Sequence, residues 1–206
     1  SVGKVLNIQP GVIIKGYNQL AKLEVKGELN INGTEAEPIA VTSGRDKTFG
    51  YDLYDTVVGQ WGNESAASKD WQGFRFYAGA KGKMAYLETR YAGYDFKLAN
   101  NDASTVSQAI RADGATLDIT SSTFYQNGSK TIVLNNASIS VKNSAFISGE
   151  AAIESKNSLL SLSDLTFANY SASDGILSIS GSWPEMKNLV CVDCNKNMIK
   201  FEKIEI

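Results

Sequence analysis

The residues best able to do chemistry in this sequence are concentrated in residues 44–70, where a regular pattern of short apolar segments lapses. Three carboxylates there could bind a cation, and three aromatic side chains could stack on a sugar ring: Asp46, Asp52 and Asp55, and Tyr51, Tyr54 and Trp61. Carboxylate oxygens are ligands that Ca²⁺ prefers, although this spacing does not match an EF-hand loop. Long excursions of this kind are often functional. We therefore consider calcium binding and carbohydrate stacking, beside a third interpretation in which the aromatics pin the loop onto the rest of the protein.

A second and shorter lapse covers residues 94–106 and adds Tyr94. If the repeating segments stack in register, this insertion emerges close to the first one. Tyr94 therefore joins the candidate sugar-stacking residues.

The absence of histidine narrows the possible reactions, because the sequence contains none. It removes Ser-His-Asp and Cys-His catalysis and the commonest metal ligand, and it leaves carboxylates with Arg or Lys. Glu88 and Arg90 lie two residues apart on the same face of one predicted strand. We interpret them as a surface ion pair in preference to a catalytic acid and base. The outward positions of the middle strands, such as Asp118, Ser140 and Ser161, form a plain polar face.

The two cysteines, Cys191 and Cys194, form a C-x-x-C motif. A zinc site would need two further ligands, and the sequence has neither a third cysteine nor a histidine. A thioredoxin-like site needs a helix that begins after a strand, and no such pattern is present. A local disulfide and two free thiols both remain open.

The elements that position these residues follow from a repeat in the second half of the chain. Apolar residues that begin each repeat are 22, 21, 23 and 22 residues apart: Ile110, Ile132, Ile153, Ile176 and Met198. Within a repeat, apolar and polar residues alternate with a period of two, which indicates strands. Three short strands in about 22 residues predict an all-β, parallel β-helix solenoid.

Two further columns of residues follow the same period. Gly114, Asn136 and Asn157 come four residues after the leading apolar residues, and Gly and Asn tolerate the left-handed backbone of a tight corner. A second column predicts rings stacked inside the protein: Phe124, Phe146 and Phe167, with Tyr91 before them and Cys191 after them. Trp183 interrupts a turn in the last part of the chain.

The first half uses similar short strands, and its motifs carry a family resemblance. Leu23-Glu-Val-Lys-Gly-Glu-Leu-Asn-Ile-Asn-Gly-Thr34, Trp71-Gln-Gly-Phe-Arg-Phe76 and Tyr86-Leu-Glu-Thr-Arg-Tyr91 resemble right-handed parallel β-helix regions of bacterial surface and secreted proteins. These regions belong to the pectate-lyase-like superfamily of folds. The resemblance covers residues 5–93 by motif and implies a right-handed solenoid, but its fold hosts enzymes, adhesins and stalks alike. We expect one domain over residues 1–206, cut from a larger protein.

Composition limits the partners. The net charge is −2 and no basic stripe is visible, which disfavours nucleic acid, and no apolar run is long enough to span a membrane. We expect an extracellular or cell-surface, non-catalytic binding or adhesion domain that recognises a polysaccharide through its aromatic loops. Ca²⁺ is a candidate cofactor, and end-to-end contact with flanking domains is a further possible interaction. The alternatives are a polysaccharide lyase or glycoside hydrolase, and a structural spacer.

Overall fold

The chain is all-β in the described part of its computed structural model, which comprises residues 3–50, 65–94, 107–170, 175–194 and 197–202. These residues form eighteen strands and no helix: β1 (Val5–Ile8), β2 (Ile13–Gly16), β3 (Lys22–Val25), β4 (Glu28–Asn32), β5 (Ile39–Ser43), β6 (Gly73–Phe76), β7 (Lys81–Ala85), β8 (Leu87–Arg90), β9 (Gln108–Asp113), β10 (Thr116–Thr120), β11 (Thr123–Tyr125), β12 (Lys130–Asn135), β13 (Ser138–Gly149), β14 (Ala151–Lys156), β15 (Leu159–Tyr170), β16 (Leu177–Ser180), β17 (Glu185–Val192) and β18 (Ile199–Glu202). No helix that could cross a membrane occurs among these residues.

All the paired strands run parallel, and they form three rows. The first row contains β1, β4, β7 and β10, and the second contains β2, β5, β8 and β11. The long strands β13, β15 and β17 belong to both rows, because their first halves extend the first row and their second halves extend the second. The third row is a separate 7-stranded sheet, in the order β18-β16-β14-β12-β9-β6-β3. Each repeat before β18 therefore contributes one strand segment to every row.

The register confirms the predicted period with one correction. Ile110, Ile132 and Ile153 pair with one another in the third row as expected. The next partner, however, is Leu177 and not Ile176, and Leu177 pairs with Ile199 and not Met198. The cause is a longer connection, since the register offset grows from 21 residues at Tyr170 to 24 at Leu177.

The predicted ring column forms the centre of the core. Phe124, Phe146 and Phe167 are fully buried, and their rings stack with centroids 4.8 and 5.4 Å apart. Cys191 pairs with Phe167 and continues the column as expected. Tyr91 does not belong to it, because Phe124 pairs instead with Thr89.

Tyr91 lies outside the ring column because the chain turns immediately after β8. Tyr91 has a φ of 59°, which places it at a corner, and its ring packs edge-on against Tyr125 at 6.0 Å. The corner column itself is confirmed, since Gly114, Asn136 and Asn157 have φ values of 64°, 49° and 49°. An inward strand position is therefore followed by a left-handed corner residue at the same place in successive repeats.

Candidate functional site

The stems of the two insertions lie side by side. The amide of Tyr94 donates to the carbonyl of Trp71 at 2.9 Å, and the amide of Gly93 donates to the carbonyl of Gln72 at 3.2 Å. The end of the first insertion therefore runs beside the beginning of the second, and Tyr94 is half-buried at this junction. The predicted stacking residues Tyr51, Tyr54 and Trp61 lie outside the described residues, so the insertion chemistry stays a prediction.

Asp46, the first of the predicted calcium ligands, already has protein partners. Its carboxylate accepts hydrogen bonds from the Thr42 hydroxyl at 2.7 Å and from the Thr48 amide at 2.8 Å, and Lys15 donates to its main-chain carbonyl at 2.8 Å. The side chain is 2% exposed. It therefore caps the turn that opens the first insertion.

The calcium prediction has no further support in the described part of the chain. No group of three or more acidic, cysteine or histidine side chains there could hold a metal ion. The other two predicted ligands, Asp52 and Asp55, lie outside the described residues. The calcium site therefore stays a prediction.

Replacing Asp46 by asparagine should remove part of the protein's acid sensitivity. Burial raises the pKa of Asp46, but the hydrogen bonds from Thr42 and Thr48 outweigh it, so the pKa is lowered overall. A lowered folded-state pKa adds stability above the unfolded-state pKa, and this stability is lost as the pH falls below about 4. Asp46→Asn should cost about 1–3 kcal/mol at pH 7, because an amide cannot accept both hydrogen bonds without loss.

Urea unfolding between pH 2 and pH 7 measures this effect, with the exposed Asp118→Asn as the matched control. The difference between Asp46→Asn and the unaltered protein should shrink in acid. Equal stability of the two proteins at every pH would contradict the capping role.

The Glu88–Arg90 pair is used to hold structure. The Arg90 guanidinium donates to Glu88 at 2.6 Å and lies 4.9 Å from the ring centre of Phe49 and 5.0 Å from that of Tyr125. Arg90 is thereby sandwiched between the start of the first insertion and the second row, a cation–π arrangement. This geometry agrees with the interpretation of a surface pair.

A shallow groove of about 380 Å³ lies on the outer face of the first row. Two columns of outward side chains line it. One column comprises Asp118, Ser140, Ser161 and Glu185, and the other comprises Thr116, Ser138, Leu159 and Trp183. The first column is in direct register from β10 through β13 and β15 to β17. The groove therefore crosses four neighbouring strands along the direction in which the repeats stack.

Trp183 forms the wall at one end of the groove. Its side chain is 60% exposed, and its ring packs edge-on against Phe201 at 5.2 Å. The corner before it is Gly181, with a φ of 83°, and a Cβ there would lie 2.0 Å from Oδ1 of Asn157. Glycine adopts this left-handed φ without strain, and a larger residue at Gly181 would have to displace the Asn157 side chain. The result is a large aromatic surface held in place beside a polar floor.

The polar groups of the groove can form hydrogen bonds, but their spacing does not fit glycoside hydrolysis. Asp118 and Glu185 are separated by three strand steps, roughly 14 Å at about 4.8 Å a step. The two carboxylates of glycosidases are about 5–9.5 Å apart. The two carboxylates of this groove therefore cannot act together on one glycosidic bond.

The chain also carries a disulfide at the end of β17. Cys191 and Cys194 are bonded, with their Cα atoms 6.0 Å apart. The bond closes the corner that follows β17. Of the two alternatives that the C-x-x-C motif left open, the structure has the disulfide and not two free thiols.

Sequence reasoning identified the floor of the groove as a plain face and missed its wall. Trp183 comes two residues after the corner residue Gly181, at the phase where Thr116, Ser138 and Leu159 follow their own corners. An aromatic residue at this outward-facing position of the repeat was the sequence signal that could have identified the wall. The disturbed turn around Pro184 concealed it.

Comparisons with known proteins add little to this geometry. No protein-family model matches the chain, and no curated protein matches it either. Among solved structures, the chain resembles the crystal structure of a protein described as a "putative glycosyl hydrolase" from Parabacteroides merdae, at 12% sequence identity and a TM-score of 0.43. The match covers 93% of this chain and 82% of that chain. A likeness this distant carries no argument about activity.

Proposed function

We propose that this chain is an extracellular, non-catalytic polysaccharide-binding domain built on a right-handed parallel β-helix. The winding is supported by the parallel registers of all three rows, which advance by one repeat at each step. Its hand follows from the strong right-handed preference of parallel crossover connections. A bacterial surface protein is the setting that the sequence motifs favour.

The observation that carries the proposal is the exposed Trp183 beside a floor of hydroxyls and carboxylates. A pyranose ring has an apolar C–H face that packs on a flat aromatic surface, and a rim of hydroxyls that needs hydrogen-bond partners. Asp118 and Glu185 can accept from sugar hydroxyls in charge-assisted bonds, which are the stronger kind. Ser140 and Ser161 can both donate and accept. A sugar chain therefore finds both kinds of contact in one groove.

Two features support a binding role without hydrolysis and a location outside the cell. The wide separation of Asp118 and Glu185 leaves no acid–base pair within this groove. The Cys191–Cys194 disulfide is the kind of bond that persists in oxidising compartments. The aromatic residues of the first insertion, Tyr51, Tyr54 and Trp61, remain candidates for a second contact with the same glycan.

The Trp183→Ala variant should lose most of its retention on the polysaccharide that the unaltered protein binds. Buried aromatic anchors of binding sites are commonly worth about 2 kcal/mol or more, so binding should weaken on the order of 30-fold. Affinity electrophoresis through gels that contain a panel of neutral and acidic polysaccharides measures this loss. Tyr17→Ala is the matched control, because Tyr17 is a 45% exposed aromatic residue outside the groove.

Each outcome of this experiment is informative. Unchanged retention of Trp183→Ala would move the contact to the insertion aromatics. Shortened glycan products in the solution would favour the lyase or hydrolase alternative. A lack of retention on every polysaccharide would contradict the proposed function and favour a structural spacer.

A further inference from the structure

The groove has a repeat of its own, and that repeat matches a linear sugar chain. Each strand step moves the floor by about 4.8 Å, which is close to the length by which one pyranose ring extends a straight glycan. The floor offers one polar side chain at each step, from Asp118 through Ser140 and Ser161 to Glu185. A chain that advances one ring per strand therefore meets one polar side chain at each ring.

We propose that the groove binds the interior of an extended, β-linked glycan along the stacking direction, over about three sugar units. This inference rests on the proposed function and adds the ligand's shape, length and direction. A β-1,4-linkage that is equatorial on both rings keeps successive rings in a straight ribbon, whereas a coiled, maltose-type α-1,4-linked chain leaves a straight row of side chains after one or two rings. The three steps between Asp118 and Glu185 set the number of rings.

The two ends of the groove are chemically different, which gives the site a direction. Trp183 and Glu185 lie on the same segment, two residues apart, so one ring can stack on the indole while a hydroxyl of that ring reaches the carboxylate. Asp118 lies at the opposite end, beside Thr116 and away from any aromatic wall. The aromatic end provides the main anchor, and a short oligosaccharide should therefore occupy that end first.

Ladders of β-1,4-linked oligosaccharides test this arrangement: cello-, xylo-, manno- and chito-oligosaccharides of one to six residues. Isothermal titration of the whole chain should give an affinity that rises at least tenfold from the disaccharide to the trisaccharide in the best series. The affinity should then level off at three or four residues. An affinity that is already maximal for the monosaccharide, or that keeps rising to six residues, would overturn the proposed length.

Two single substitutions test the direction. Asp118→Asn should weaken trisaccharide binding about tenfold, since the hydrogen bond that residue 118 accepts is no longer charge-assisted, and it should leave disaccharide binding unchanged. Glu185→Gln should weaken both. Glu154→Gln, on the outer face of the third row, is the matched control and should change neither.

The outcomes separate this inference from the proposed function. Equal effects of Asp118→Asn and Glu185→Gln at every length would overturn the direction while leaving glycan binding intact. Better binding of maltose-type, α-1,4-linked oligosaccharides would overturn the extended shape alone. Failure of every oligosaccharide and polysaccharide to bind would overturn the proposed function and this inference together.

Discussion

Replacing Phe146 by alanine should lower the free energy of unfolding by about 3–5 kcal/mol, the range for aromatic truncations in protein cores. Phe146 is fully buried, and its ring lies between those of Phe124 and Phe167 at 4.8 and 5.4 Å. Removing it opens a cavity between two rings that belong to other repeats. Those rings are held by their own strands, so they cannot close the gap.

Urea unfolding followed by circular dichroism measures this loss, and the neighbouring residue provides a control. Ile147 follows Phe146 on β13, faces outward and is only half-buried. Ile147→Ala should therefore cost about 1 kcal/mol, because a partly exposed side chain loses less apolar burial. Similar losses for the two variants would contradict the assignment of the ring column to the core.

The period of the sequence allowed much of the fold to be predicted, because one residue type recurs wherever stacking imposes one environment. Phe124, Phe146 and Phe167 share a buried position, and a buried position admits few alternatives. Asn136 and Asn157 share a left-handed corner, which few residue types tolerate. Both columns could therefore be read from spacing alone.

The incorrect predictions for Tyr91 and for the register at Leu177 also have a physical cause. Tyr91 is aromatic and nearly in phase, but the chain turns at this residue, and a turn of one residue changes which way a side chain points. The one-residue shift at Leu177 arose because the longer connection after Tyr170 gives no sequence signal of its length. Spacing predicts a column only as far as the connections keep their length.

The candidate site was harder to predict because its parts come from different repeats. Asp118 and Glu185 are far apart in sequence, and each is unremarkable on its strand. Their shared column appears only when four strands are placed in register. Trp183 adds the decisive surface, and its role depends on the position of the corner at Gly181. A candidate site of this kind arises from the stacking of repeats and not from a local motif.

Replacing Gly73 by alanine should destabilise the protein by about 3 kcal/mol or more. Gly73 begins β6 with a φ of 117°, a conformation that side chains rarely adopt, and backbone strain of this kind costs about 1–3 kcal/mol. A Cβ there would also lie 2.1 Å from the carbonyl oxygen of Ala109 on β9. The backbone must move to relieve that overlap, and overpacking adds about 1–3 kcal/mol.

Gly79→Ala separates the two contributions, because Gly79 has a φ of 78° but nothing lies within 4 Å of its added Cβ. It should cost only the conformational part, about 1 kcal/mol. Thermal and urea unfolding of both variants measure the difference. A Gly73→Ala variant as stable as Gly79→Ala would mean that β6 and β9 can separate at this point. The close approach of β6 and β9 would then not be required for the third row to continue past the second insertion.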